Sequence, residues 1–248
     1  MNSEPATERT VTLNFGATRR RFSYPESGNI AEHLQRILKG EEYPLLPPDI
    51  LSPRLVLDIG ANVGATTLLF AFAYPKAQVR AYEPSPANYA FLARNAADIP
   101  NVTLRPFGLF DQAETRKLYH GLNHAMESSI YRSADTTRTS FETVELRRAA
   151  EELTDLGQGP GVVMKLDTEG CEVPILRDLG PALVNLDVLY VEYHSEEDRR
   201  AIDALLGDNF VLATARASRP HLGELQYLSR RLGARIKQLA RPPIGGGA

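Results

Sequence analysis

The sequence predicts a doubly wound α/β fold on a mainly parallel sheet, preceded by a small N-terminal extension. Three observations predict it. From Arg54 onward, short apolar runs suited to strands alternate with longer segments suited to helices, the pattern of successive βαβ units. The first run, Leu55–Ile59, ends in a glycine-rich turn that opens a helix. Acidic residues recur just past or at the ends of later runs, at Glu83, Asp167 and Glu192, where open α/β sheets gather their ligands.

Each element has its own signal. Thr10–Phe15 alternates, and Arg19–Tyr24 follows a Gly16-Ala17-Thr18 turn, which predicts a hairpin. Asn29 is a candidate cap for a helix over Ile30–Leu38 that Gly40 ends. Tyr43–Pro53 is proline-rich and reads as an extended connector. Strand Leu55–Ile59 leads to helix Val63–Tyr74, strand Gln78–Tyr82 to helix Pro86–Ala97, and Val102–Phe107 is the third strand. Glu114–Tyr119 and Phe141–Leu146 read as further strands flanking a polar loop, His120–Ser140. The wound pattern resumes with Gly161–Leu166, a helix from about Val173 to Leu179, and the strongly apolar strand Val188–Val191. Ser195 is placed to cap a helix over Glu196–Leu206, and Phe210–Ala215 and Leu225–Leu228 are the last strands. This divides the chain into an extension (1–53), the wound domain (54–232) and a basic, glycine-ended tail (233–248).

Composition narrows the function classes. With 248 residues, 43% of them hydrophobic, the chain has enough apolar material for one sizeable core. A formal net charge of -3 argues against a basic nucleic-acid binder. Cys171 has no second cysteine to pair with, and no apolar run approaches a membrane span. The first nine residues are polar and lack an apolar signal core. A soluble, cytoplasmic protein is the expectation. His120, His124 and His194 show no metal-ligand spacing, so no metal site is expected from them.

The chemistry is concentrated in two motifs. Asp58-Ile-Gly60-Ala-Asn62-Val-Gly64 sits where a strand ends and a helix begins. Gly60 allows the tight turn and a close ligand approach, Gly64 lets the helix pack on its strand, and free N–H groups at the helix start suit an anion. Acid plus amides fits the mixed charge of S-adenosylmethionine, which carries an ammonium, a sulfonium and a carboxylate. Glu83 follows about twenty residues later at the next strand end, the place of an acid that accepts from ribose hydroxyls. Phe107 and Gly108, at the end of the third strand, offer an apolar wall and an N–H for an adenine ring, or are simply core. These features leave a dinucleotide open as the cofactor, hence an NAD-dependent oxidoreductase, and they also leave open a non-catalytic binding domain. Asn62, where a dinucleotide fingerprint wants glycine, speaks against the first rival.

The second motif is Lys165-Leu-Asp167-Thr-Glu169-Gly170-Cys171-Glu172. Asp167 and Glu169 are candidates to orient or deprotonate an acceptor, with Asp167 also able to face the cofactor. His194, in Glu192-Tyr193-His194, has the intrinsic acidity of a general base and ranks first for that role. Cys171 reads as a packed small residue.

Together, Asp58–Gly64, Glu83-Pro84 and Lys165–Gly170 in this order resemble the FkbM family of methyltransferases over roughly Leu55 to His194. The resemblance implies a seven-stranded class I methyltransferase fold and S-adenosylmethionine as donor. It implies O-methylation of a small-molecule or glycan acceptor, as in secondary metabolism or on surface sugars. Ser128, Ser129 and Glu192 also fit the family and are implied on the acceptor side. Two positions depart from it: Arg147-Arg148 stands where the family usually has an acidic pair, and Cys171 where alanine is common.

Overall fold

A strand covered on both faces needs apolar side chains at every position, and three runs of this chain meet that demand. They form the centre of a computed structural model that describes residues 8–26, 30–120, 128–129 and 141–239. In chain order the elements are β1 (Glu8–Phe15), β2 (Thr18–Pro25), α1 (Ile30–Leu38), β3 (Leu55–Ile59), α2 (Ala65–Ala73), β4 (Gln78–Tyr82), α3 (Pro86–Asn95), β5 (Val102–Arg105), β6 (Gly108–Phe110), β7 (Glu114–His120), β8 (Ser128–Ser129), β9 (Phe141–Arg148), α4 (Ala149–Glu152), β10 (Val162–Leu166), α5 (Glu172–Leu179), β11 (Leu186–Tyr193), α6 (Glu196–Leu206), β12 (Phe210–Arg219), β13 (Leu222–Ser229) and α7 (Arg230–Leu239).

The main sheet has seven strands in the order β12-β13-β11-β10-β3-β4-β5. Strands β11, β10, β3, β4 and β5 pair in parallel, whereas β13 runs antiparallel to both β11 and β12. Side chains alternate between two cores. Leu55, Leu57, Ile59, Met164, Leu166, Leu189 and Val191 face one, with Ile175, Leu176 and Ile202 of α5 and α6. Val56, Val163, Val188 and Tyr190 face the other, with Leu68, Phe70 and Leu92 of α2 and α3. Strands β6, β9, β7 and β8 form a second sheet.

The extension is built into the second of these cores. Phe22 and Tyr24 of β2, Leu34 and Ile37 of α1, and Tyr43 are buried there. Asn95 of α3 clamps the hairpin by accepting from Ser23 N and donating to Ser23 O, both at 2.8 Å. The connector is held by Tyr190 and Gln226, which both donate to Pro44 O, and by Tyr74, which donates to Leu46 O.

Several boundaries move. The third strand of the main sheet stops at Arg105, and Phe107-Gly108 turns the chain into the second sheet. A Cβ on Gly108 would lie 2.6 Å from Leu146 Cδ2 and 3.4 Å from Pro84, so a side chain here would have to push Leu146 aside. Strands β11, β12 and β13 are longer than their apolar cores because ladder pairing continues into polar residues. Helix α7 runs through the expected start of the tail. Its Leu232 is buried, and its Arg231 pairs with Asp187 at 2.6 Å. Asn29, most of the 120–140 loop and residues from 240 onward lie outside the described residues. Among the described residues, no helix is long and apolar enough to cross a membrane.

Because Phe22 is fully buried against α-helices of the wound domain, Phe22→Ala should destabilise the whole protein by about 3–5 kcal/mol. Urea unfolding followed by far-UV circular dichroism checks this. The midpoint should fall with a single transition retained, whereas an unchanged midpoint would make the extension an appendage.

Candidate active site

The parallel order reverses direction between β3 and β10: β3 continues to β4 and β5 on one side, β10 to β11 on the other. Such a switch point leaves a crevice at the carboxyl ends of the two strands. Both motifs end there. Asp58 and Lys165 are register partners on β3 and β10, and both side chains are almost fully buried. Lys165 Nζ lies 3.7 Å from Asp58 Oδ1 and 3.3 Å from Asp167 Oδ2, and donates to Gly60 O at 2.5 Å. Thr67 of α2 donates to the other Asp58 oxygen at 2.6 Å. Burial pushes the Asp58 carboxyl up, opposed by Lys165 and Thr67. Asp167 is held low, at about 2: its burial opposes this, but Lys165 beside it and a hydrogen bond with Glu192 prevail.

The two strand ends also touch through backbone. Asp167 N donates to Ile59 O at 3.2 Å. Gly60 has φ +80, and a Cβ on it would sit 1.8 Å from Asp167 O. A side chain at 60 is therefore excluded twice, by conformation and by space. Asn62 is left-handed as well, at φ 51, which its short polar side chain tolerates better than most.

Glu83 follows β4 and closes the other wall. It is buried, and its carboxylate accepts from Asn62 N at 2.8 Å and Ser85 N at 2.9 Å. Burial raises its pKa to about 7, against those two hydrogen bonds. Four amides of the glycine turn, ahead of the helix start, are already bonded within the fold. Gly60 N and Ala61 N donate to Tyr82 O, Asn62 N to Glu83 and Gly64 N to Ala61 O.

Across the crevice, the Asp167–Glu172 turn carries the acceptor-side candidates. Glu169 adopts φ 58 and Gly170 φ 113; a left-handed glutamate stores strain of about 1–3 kcal/mol. Glu172 opposes that strain. Its buried carboxylate accepts from Thr168 N (2.7 Å), Thr168 Oγ1 (3.0 Å) and Gly170 N (3.0 Å). His194, just past β11, stands 3.2 Å from both Glu169 and Glu192 and 3.7 Å from Glu172. Despite partial burial, hydrogen bonding to Glu169 and Glu192 and the charge of Glu172 raise the basicity of the imidazole far above its ordinary value. This surrounding favours the protonated imidazole, which speaks against His194 as the leading base. Burial pushes Glu169 and Glu192 up, and the charge of Asp167 beside them adds to it.

The family description "Methyltransferase FkbM domain" matches residues 58–235, which includes both motifs and every strand of the main sheet from Asp58 onward. The chain belongs to the FkbM methyltransferase family. The oxidoreductase reading falls with that assignment. Hexuronic acid methyltransferase AglP of Haloferax volcanii is 26% identical over 217 residues, covering 80% of this chain and 84% of that protein. Methyltransferase 1 of Beauveria bassiana is 27% identical over 143 residues, half of this chain and 57% of its own length. Among solved structures, the Methanococcus jannaschii fibrillarin superposes with a TM-score of 0.50 at 12% identity, covering 89% of this chain and 82% of that one, which shows a shared class I fold.

Within this FkbM methyltransferase the structure brings Gly60, Asn62, Glu83, Asp167, Glu169, Glu192 and His194 to one crevice. Asp58 lies beneath it, fully buried, and reaches the cleft through Lys165. Gly64 packs on Leu92 of α3, 2.8 Å from where its Cβ would be. Phe107 is buried in the core with its ring edge toward Tyr82 and the Arg147 guanidinium 3.8 Å over its face. Arg147 and Arg148, the departure from the family pattern, pair with Glu145 and Asp178. Ser128 and Ser129 form β8 against β7. Cys171 is buried, and burial pushes its thiol up, in keeping with a packed residue. Tyr43 was not expected. Its hydroxyl donates to Asp167 Oδ2 at 3.2 Å from a connector that precedes the family region, and nothing in the local sequence marks it.

Lys165→Met would leave Asp58 and Asp167 as buried carboxylates without their shared cation. Removing one partner of such a group costs about 3–5 kcal/mol. Thermal unfolding at neutral pH should show a large loss, greater than for Arg147→Met on the surface, and an equal effect of the two would remove Lys165 from its central role.

Proposed function

We propose that this methyltransferase takes its methyl group from S-adenosylmethionine and places it on a hydroxyl oxygen of a sugar-like small molecule or glycan. The observation that carries this reading is the crevice at the β3–β10 switch point, walled by Glu83 on one side and by Asp167, Glu169 and Glu192 on the other. The glycine turn and the ribose-facing acid suit a nucleoside, and the acidic far wall suits a cationic methyl donor and a polyhydroxylated acceptor. The AglP relative, named for a hexuronic acid, points to the same acceptor class.

Bound there, the donor supplies an electrophilic methyl carbon on sulfonium sulfur. The residues of the chain provide the rest. Glu83 is placed to accept from the ribose hydroxyls, with Asn62 and Gly60 lining the turn. Asp167, held ionised by Lys165 and Tyr43, faces the cationic end. As the acceptor oxygen bonds to the methyl carbon, the carbon–sulfur bond breaks and its electron pair stays on sulfur. The hydroxyl proton leaves toward the carboxylate group formed by Asp167, Glu169 and Glu192, with His194 as the fixed positive partner that orients the last two. Positioning of this kind, with proton removal, is the main catalytic demand because the donor is already activated.

Adenosylhomocysteine should raise the melting temperature by mass action; stabilisation by NADH with none from adenosylhomocysteine would overturn the donor assignment. Glu83→Gln should weaken adenosylhomocysteine binding by about 1.5–3 kcal/mol, roughly 10- to 150-fold. A carboxyl raised to about 7 in the folded protein is largely protonated below that value. Wild-type affinity should therefore increase as pH rises through about 7, while Glu83→Gln should stay flat. Calorimetric titration at pH 6, 7 and 8 checks both, and a pH-independent wild type would remove Glu83 from the ribose.

A further inference from the structure

The acceptor wall contains a geometry that a proton explains poorly. Ligand atoms of Glu169, Glu192 and His194 all lie within 4.8 Å of one another. Nε2 of His194 is 3.2 Å from an oxygen of each glutamate. One N–H can serve two carboxylates only as a three-centre bond, and 3.2 Å is already the long end of an N–H···O bond. Around a shared six-coordinate cation with bonds of about 2.1–2.3 Å, neighbouring ligands stand about 3.0–3.3 Å apart. The two distances from Nε2 match that arrangement.

A second observation concerns the other ring nitrogen. Nδ1 of His194 is buried and makes no hydrogen bond, and it lies 3.7 Å from Glu172 Oε2. Glu172 is fixed by three donors of its own turn. The charge of this pinned carboxylate favours a hydrogen on Nδ1 and leaves Nε2 facing the two glutamates; closing the gap by about half an ångström would complete the outer-shell hydrogen bond of a metal-bound histidine. The charge points the same way: Asp58, Asp167, Glu169, Glu172 and Glu192 surround Lys165 and His194, and a bound cation would take the place of the imidazole proton, which leaves to solvent.

We propose that Glu169, Glu192 and His194 form a divalent-cation site whose remaining coordination positions take hydroxyl oxygens of the methyl acceptor. Two carboxylates and one imidazole suit an oxygen-preferring cation that accepts nitrogen, the character of Mn²⁺. The acceptor part of this inference rests on the methyl-transfer reading above; the cation site itself does not. Such a site would choose acceptors with two adjacent oxygens, which chelate, over isolated alcohols.

The test uses the full chain, stripped with a chelator and titrated with Mn²⁺ while the free-ion electron paramagnetic resonance signal is followed. Wild type should remove one Mn²⁺ per chain from solution. His194→Ala and Glu192→Gln should abolish that stoichiometric binding, and Glu172→Gln should weaken it about 10- to 100-fold while leaving all three ligands in place. Glu169→Asn, whose side chain tolerates the left-handed backbone, is the variant to use if the others fail to fold. Melting and adenosylhomocysteine binding are measured on each protein. No uptake by wild type, or undiminished uptake by folded variants, overturns the cation site. Uptake of Mn²⁺ without any adenosylhomocysteine binding would instead sink the methyl-transfer reading and leave the site standing.

Discussion

The ammonium of Lys165 sits between Asp58 and Asp167 at the bottom of the crevice, and the arrangement of the site depends on it. A cation buried this deeply costs a great deal unless its partners are well placed, and register pairing of β3 with β10 places one of them at the next strand. Its bond to Gly60 O reaches the glycine turn, and its approach to Asp167 reaches the acceptor wall. One side chain thus sets the spacing between the two walls. Thr67, on the helix that the glycine turn opens, adds a third anchor through Asp58.

The N-terminal extension joins this arrangement from outside the family region. Tyr43 packs edge-on against Tyr190 with ring centroids 5.7 Å apart and reaches Asp167 with its hydroxyl. Glu42 beside it is held by Arg36 at 2.8 Å and lies 3.4 Å from His33, and burial brings that imidazole down to about 4. Helix α1 and the connector therefore cover the same side of the cleft that Asp167 faces.

Much of the fold was legible because doubly buried strands leave continuous apolar runs, and Leu55–Ile59, Gly161–Leu166 and Val188–Val191 mark the sheet centre correctly. The glycine turn was legible because positive φ and close backbone approach demand glycine at 60. Elements held by tertiary contacts alone were not. The second sheet diverts the chain at Phe107-Gly108 for reasons of passage past Pro84 and Leu146, and α7 is helical because Leu232 and Arg231 find partners on β11 and its neighbours. That Glu169, Glu192 and His194 share the acceptor side was legible from their places at strand ends, but their close contact was not, since Glu169 follows β10 and the other two stand at the end of β11. The raised basicity of His194 follows from that clustering and from no property of its own segment. Tyr43 belongs to the same group.

The close approach of Gly60 to Asp167 has a consequence for the order in which the molecule forms. The bond from Lys165 Nζ to Gly60 O joins positions 105 apart in sequence, and β4, β5 and the whole second sheet lie between them. Closing so long a loop is entropically slow, and the strands on either side of the crevice belong to opposite halves of the chain. During synthesis the first half can collapse around β3, β4 and α2 while the crevice still has only one wall. Ligand-binding competence therefore arrives late, as β10 docks, and ligands that bridge both walls would act on the last folding step rather than the first.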